Sequence, residues 1–242
     1  MKTEILYEDR DVLVIYKPAG LAVQTAAVGQ ADVVSELKNH IAASGVRPPY
    51  LGIVHRLDQP VEGLLVFAKN KKAAAALTGQ LSGQEAGDGL HKEYYAVIYG
   101  NPSRREGELV NDMYRDAGKA VIAEDRGKNI HSGKDEHSPK RAVLQYKILR
   151  TVQAPSGQDI SLADIRIETG RFHQIRAQMA YAGMPILGDR KYGDEAAADC
   201  SRRLGVRETA LCAYSLSFVH PATGKRRDFR VAPRSRAFEY FR

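Results

Sequence analysis

The chain has 242 residues, enough for one large domain with a sizeable core or two small ones, and its 43% apolar and 27% charged residues are ordinary for a soluble globular protein. The net charge of +7 is concentrated: residues 201–242 hold ten Lys/Arg against three Asp/Glu, and the rest of the chain is balanced. The longest apolar runs, such as Val12–Tyr16, are far too short to cross a bilayer and no signal-peptide pattern opens the chain, so a cytoplasmic protein without membrane association is expected.

Ile5 to Tyr16 reads as two short strands around the polar turn Glu8-Asp9-Arg10-Asp11. Lys17-Pro18-Ala19-Gly20 then breaks the pattern. Residues 31–43 place Val33, Val34, Leu37 and Ile41 on one helical face. Leu64–Ala68 is an apolar strand, Lys71–Leu81 an alanine-rich helix ending near Gly83, and Lys92–Tyr99 a further strand. Residues 101–138 are polar and nearly aperiodic, which predicts short hairpins around Val110 and Ala120–Ile122 and a mobile loop.

The strand signal returns with Ala142, Leu144, Tyr146 and Ile148, and again with Ala163, Ile165 and Ile167. His173–Ala182 has helical spacing, with Ile175, Met179 and Ala182 on one face and Gly183 as its stop. A short helix at 194–204 and strands at 209–219 and 225–231 close the chain. Strands and helices mix without βαβ alternation or internal repeat, so the class is α+β.

Four segments carry candidate chemistry. His55-Arg56-Leu57-Asp58 sits in a polar turn before the apolar strand, where a scaffold holds a side chain rigidly within reach. An Asp carboxyl, ordinarily near pKa ~3.9, is ionised at neutral pH and needs no separate base to act as a nucleophile. On spacing alone a surface turn, with Asp58 capping a loop and Arg56 paired to it, is the commoner explanation of such a string.

Thr169–Arg176 is a strand-to-helix transition whose main-chain N–H groups suit an anion. Arg176 in its first turn suits a two-pronged pair with a buried carboxylate such as Asp58, whereas His173 and Gln174 read as helix braces. In Lys92–Gly100, Tyr94 fits either a base-stacking or a core role. Gly188-Asp189-Arg190-Lys191-Tyr192-Gly193 is a glycine-bounded turn that either faces substrate or merely connects.

No GxGxxG or GxxxxGK[ST] is present, and His131 and His137 lack ligand spacing. The two cysteines, Cys200 and Cys212, are too few for a cysteine zinc site and read as buried, inert thiols. No metal or organic cofactor is expected. The basic tail suits a polyanion, nucleic acid first among them, or is simply a solubilising surface. With no Trp in the chain, base stacking falls to Tyr, Phe or Arg.

In their order along the chain these segments resemble the RluA-type pseudouridine synthases over nearly the whole length. ILYEDRDVLVIYKPAGL is similar to that family's opening strands and KPxG turn, and HRLDQPVEGLLVFAK to its HRLDxxTSGLLLxAK motif. KEYYAVIYG, TGRFHQIRAQMAYAGMPILGDRKYG and LCAYSLSFVHPATG resemble its later segments. The resemblance implies a pseudouridine synthase fold: a mixed, mostly antiparallel central sheet flanked by helices and loops, in one catalytic domain over 1–242 with no separate N-terminal RNA-binding domain. It implies isomerisation of uridine to pseudouridine in ribosomal or transfer RNA by a monomer needing no cofactor.

By the same resemblance, Asp58 matches the essential aspartate, acting as nucleophile or base, Arg176 the arginine paired with it, and Tyr94 the tyrosine packed against the target uracil. Arg56 matches the arginine associated with flipping the nucleotide, and Ile175, Arg171 and His173 complete the expected substrate-binding set. Without a separate RNA-binding domain, the basic tail becomes part of the expected phosphate track.

The departures are Val61-Glu62 for Thr-Ser, and Gln178, Met184 and Cys212 where His is common. Glu62 facing Asp58 closely would raise the aspartate's pKa, so it is expected to point away into a local ion pair. A non-catalytic RNA-binding protein and an RNA-independent carboxylate hydrolase are the competing classes; the intact Asp58, Tyr94 and Arg176 argue against the first, and the missing second carboxylate motif against the second.

Overall fold

The structure is a computed structural model that describes residues 1–27, 29–82, 89–123 and 138–242. In chain order its elements begin with β1 Glu4–Glu8, β2 Val12–Lys17, α1 Val33–Ala43, β3 Gly52–Ile53, β4 Glu62–Ala68, α2 Lys71–Ser82 and β5 His91–Tyr99. They continue with β6 Glu106–Asp116, β7 Lys119–Ile122, β8 Lys140–Gln153, β9 Asp159–Ile167, α3 Gln174–Tyr181 and α4 Glu195–Arg203. Strands β10 Leu211–Val219 and β11 Arg226–Arg230 and a 3-10 turn at Arg236–Phe241 finish the chain. The chain divides into two compact units, residues 1–94 with 212–234 and residues 95–211 with 235–242.

The first unit orders its strands β1-β2-β4-β10, with β11 on β10 and β3 on β4. Strands β2 and β4 are apolar runs because they are buried along their whole lengths, and they pair antiparallel from Val12↔Ala68 to Lys17↔Gly63. Strand β10 joins β4 in parallel, at Cys212↔Glu62 and Ala213↔Gly63. That approach requires glycine: Gly63 has φ +125°, and a Cβ there would lie 2.4 Å from the Ala213 carbonyl oxygen. Gly63→Ala is therefore expected to cost about 1–3 kcal/mol, read as a lowered melting temperature; an unchanged one would show that β4 and β10 separate freely.

The core of this unit joins Val12, Val14, Leu64, Val66, Leu216 and Phe218 of the sheet to Ala73 and Leu77 of α2. Helix α1 buries Val33, Val34, Leu37 and Ile41, the predicted face, and Asp32 caps it by accepting from the Ser35 N–H at 2.7 Å.

The second unit orders its strands β5-β9-β8-β6-β7, with β9–β8, β8–β6 and β6–β7 antiparallel. Strand β6 runs for eleven residues through the stretch read as a polar excursion. Its residues are mostly exposed or half-buried and only Met113 is buried, so no apolar alternation announces it. The expected mobile loop, Gly83 and the histidines 131 and 137 lie outside the described residues.

Helix α3 also differs from expectation. It buries Gln174, Arg176 and Gln178 as well as Ile175, Ala177 and Met179, whereas Ala182 is exposed. Its polar side chains are buried with hydrogen-bond partners, the Gln178 amide oxygen alone among the described residues of the helix having none, and an apolar periodicity cannot reveal such bonds. Strand pairing is mostly antiparallel in both units and helices are few among the described residues, as the α+β class requires.

Candidate active site

Asp58 lies on the loop between β3 and β4, half-buried, beside exposed Arg56. The Val61 N–H donates to the Asp58 carbonyl at 3.1 Å, closing a tight turn through Gln59-Pro60. This turn is clamped to the Lys17-Pro18-Ala19-Gly20 turn. The Gly20 N–H donates to the Gln59 carbonyl at 2.8 Å, and the Gln59 amide returns a bond to the Gly20 carbonyl at 3.1 Å.

Lys17 completes the clamp from inside. It is fully buried, and its Nζ donates to the carbonyls of Pro18, Leu21 and Gln59 at 3.0, 2.8 and 3.1 Å. Burial pushes its pKa down to about 7, against the opposing pull of the Asp58 and Glu62 charges. Between pH about 7 and the ordinary lysine value of 10.5 the unfolded chain thus binds more protons at Lys17 than the folded one. Stability at this group therefore rises with pH across that window, by up to about 1.4 kcal/mol per unit. Denaturant titrations at pH 7 and 9 are expected to show a smaller gain for Lys17→Met than for wild type; equal gains would mean that Lys17 is not a strained buried charge.

His55 is a structural residue. Its Nε2 accepts from the Val66 N–H at 3.3 Å, so the neutral ring carries its proton on Nδ1, which is buried and has no hydrogen-bond partner among the described residues. Burial, then the nearby Lys92 charge, lowers the His55 pKa well below the usual range. Lys92 is itself brought down to about 8 by burial.

Tyr94 is buried on β5. Burial, reinforced by the negative charge of Asp58, raises its pKa and keeps the hydroxyl protonated. A neutral phenol with a half-exposed carboxylate acting on it offers a ring face and a hydroxyl beside a group able to act as nucleophile or base.

Glu62 is buried, and its charge acts on the Arg234 guanidinium. Its carboxylate accepts from the Tyr16 hydroxyl and from the Arg234 main-chain N–H at 3.1 and 3.2 Å, while the Arg234 guanidinium lies 3.9 Å over the Tyr16 ring and pairs with Glu4 at 2.6 Å. Cys212, opposite Glu62 in the parallel register, has its thiol pKa raised by burial and then by the Glu62 charge, and Cys200 is raised mainly by burial. Both thiols are buried and protonated, in keeping with the inert reading.

In the second unit, Arg176 is buried and clasps the Asp189 carboxylate two-pronged. Nε donates to Oδ2 at 2.7 Å and Nη2 to Oδ1 at 2.8 Å. Asp189 also accepts from the Lys191 and Tyr192 N–H groups at 2.9 and 3.2 Å. Burial alone would raise its pKa; the Arg176 bonds and charge, with these N–H groups, outweigh it and hold the carboxyl below the usual range. The glycine-bounded turn thus supports the arginine and is more than a connector.

Around Arg176 a row of rings extends outward. Tyr192 lies 5.1 Å beneath the guanidinium, its hydroxyl meets His173 Nδ1 at 2.8 Å, and it accepts from the Ala120 N–H at 2.7 Å. His173 stacks on Phe172 at 3.7 Å, and Arg115 covers Phe172 at 4.6 Å. His173 adopts a left-handed φ of 51° at the N-cap, so helix α3 begins one residue later than expected.

Gln174 is the brace it was read as: its amide oxygen accepts from Thr169 Oγ1 and the Arg171 N–H, and its nitrogen donates to the Val143 carbonyl at 3.0 Å. Exposed Arg171 donates from Nε to the Arg141 carbonyl at 2.9 Å, and Ile175 is buried. Gln178, one of the departures, donates to the Leu109 carbonyl and Asn111 Oδ1 at 3.1 and 2.8 Å.

Part of the basic tail is neutralised within the chain. Arg202 and Arg203 pair with Asp199, Arg226 with Asp228 and Arg234 with Glu4. Asp189, Lys17, Lys92 and Tyr192 are the site residues that the sequence reading did not single out. The only signal available for Asp189 and Tyr192 was their place in the GDRKYG turn. Among the described residues no cluster of His, Cys, Asp and Glu could hold a metal ion, and no helix is long and apolar enough to cross a membrane.

Residues 11–181 match the family described as RNA pseudouridylate synthase. Over 238 residues the chain is 35% identical to ribosomal large subunit pseudouridine synthase D of Zymomonas mobilis, covering 93% of this chain and 68% of that protein. An uncharacterized RNA pseudouridine synthase of Bacillus subtilis is likewise 35% identical, over 96% of this chain and 69% of its own. Among solved structures, human RNA pseudouridylate synthase domain containing 4 superposes with a TM-score of 0.72 at 23% identity, over 98% of this chain and 92% of that one, a likeness of fold.

Proposed function

The chain belongs to the RNA pseudouridylate synthase family and is an RNA pseudouridine synthase, and from that premise we propose that Asp58 is its catalytic carboxylate and the RNA of the large ribosomal subunit its substrate. In the reaction the glycosidic bond from N1 of uridine breaks, the uracil turns, and it is rejoined to the ribose through carbon 5; the proton on carbon 5 leaves and N1 gains one from solvent, so the sum is an isomerisation. Asp58 acts at the ribose, as nucleophile or as base. Tyr94 packs against the uracil, and Arg176, held in place by Asp189, is the cation that serves the aspartate. Arg56, Arg171, His173 and Ile175 hold the flipped nucleotide and its neighbours, an extrusion that costs a few kcal/mol of unstacking.

The observation that carries this reading is the setting of Asp58. A tight turn clamped by the buried Lys17 holds its backbone, and its charge acts on a phenol that burial keeps protonated. The protein works as a cytoplasmic monomer. The substrate assignment leans on relatives whose names specify the large ribosomal subunit.

The test uses large-subunit ribosomal RNA and transfer RNA, each from a strain lacking the gene, with pseudouridines mapped after incubation with the protein. New pseudouridine in the ribosomal fraction alone is the expected result. Modification of transfer RNA alone would overturn the substrate assignment.

A further inference from the structure

The second unit contains a cavity of about 490 Å³ that the catalytic reading leaves unused. It lies between the Gly188–Gly193 turn, helix α4 and the Gly205–Arg207 turn. Its volume is that of a small-ligand site, roughly 300–1,000 Å³. Ile186, Ala197, Ala198 and Val206 make part of its wall apolar, and three arginines, Arg190, Arg202 and Arg207, line it as well.

The charge balance is one-sided. The acid lining the cavity, Asp189, is committed to Arg176. Arg202 is shared with Asp199 at 3.2 Å, but neither Arg190 nor Arg207 forms an ion pair with an acid among the described residues, and both are exposed. Small side chains and glycines leave a wall that a planar ring can approach closely, and guanidinium groups offer both phosphate pairing and a stacking plane. The walls are also rigidly spaced: Gly188, at φ +73°, packs so tightly on the next turn that a Cβ would lie 2.0 Å from the Glu208 carbonyl oxygen. The Gly188 N–H is fixed by Ser201 Oγ at 2.9 Å.

From these features we infer that the cavity is a docking slot for one nucleotide of the substrate RNA other than the target uridine, its base against Ala197, Ala198 and Val206 and its phosphate on Arg190 and Arg207. The inference rests on the RNA-modifying function proposed above. Because Asp189 belongs both to the slot wall and to the Arg176 pair, RNA seated there adjoins the support of the proposed catalytic arginine. The slot thus reads the strand beside the target, which is how single-stranded RNA is commonly recognised.

Two variants separate the slot from a merely basic surface. Arg190→Ala with Arg207→Ala removes phosphate partners and is expected to flatten the dependence of log Kd on log salt by about one. Ala198→Trp changes no charge and fills the slot from an exposed helix position; it is expected to weaken RNA binding roughly tenfold with the salt slope kept. Thermal melting confirms that each variant is folded.

Wild-type affinity in the folded Ala198→Trp protein would overturn the slot even if the arginine variant behaves as expected. Binding of free uridine 5′-monophosphate without competition from RNA would also overturn it, assigning the cavity to a free nucleotide. Pseudouridine formation by wild type is measured in parallel. If it is present while the Trp variant binds normally, the slot alone fails. If it is absent, the proposed function fails first.

Discussion

Asp189→Ala is expected to lose about 3–5 kcal/mol of stability, because it leaves the buried Arg176 guanidinium without its two-pronged partner. In a chain of this size that lowers the melting temperature by roughly 10 °C or more. Surface ion pairs such as Arg202–Asp199 give a contrast, since both partners are wet and their loss costs ~0–1 kcal/mol. Turnover falls as well, since the arginine proposed to serve Asp58 loses its orientation.

The same pair sets an acid limit. The Asp189 carboxyl is held below its ordinary range in the folded state, so its contribution is complete above the unfolded value near ~3.9 and is lost as pH falls through the lower, folded one. Asp189→Asn, close in shape, is expected to unfold with a weaker dependence on pH in that acid window. An Asp189→Ala protein as stable as wild type would mean that the buried guanidinium finds other partners, and would remove the support argued for Arg176.

What could be read from the sequence divides along physical lines. Strands β2 and β4 are buried on both faces and therefore appear as unbroken apolar runs, and helix α1 shows its core face because Val33, Val34, Leu37 and Ile41 repeat with the helical period. The hairpin of β6 and β7 was legible only as short pieces around Val110 and Ala120–Ile122, because most β6 side chains stay near solvent and EGELVNDMYRD carries no apolar period. Asp58 could be proposed from the sequence because its motif is contiguous.

The bond from Arg176 to Asp189 was not legible, although Asp189 is only thirteen positions away. The pairing depends on a turn whose Gly188 takes a positive φ to pack against the Glu208 carbonyl, a tertiary event that composition does not encode. Lys17 was read only as part of a turn. A lysine is almost never fully buried, and its three carbonyl acceptors come from segments separated by up to 42 positions. The Arg234 main-chain donor to Glu62 lies 172 positions downstream, out of reach of any local pattern.

The second large effect is at the aspartate itself. Asp58→Asn keeps the size of the side chain and leaves the backbone bonds of the 58–61 turn, including the Lys17 bond to the Gln59 carbonyl, in place. RNA affinity is therefore expected to stay within a few-fold of wild type. The amide can neither attack the ribose nor take a proton from it, so turnover is expected to fall by at least about 10⁴-fold. Loss of RNA binding alongside turnover would point instead to a disrupted turn.

Single-turnover tritium release puts the central claim to its most direct test, with wild type and Asp58→Asn each in excess over large-subunit ribosomal RNA labelled at uridine carbon 5. Wild type is expected to release tritium, and Asp58→Asn none above background, at RNA concentrations where both proteins bind. Release by the variant at a rate near that of wild type would contradict it, and would move the chemistry to a different residue.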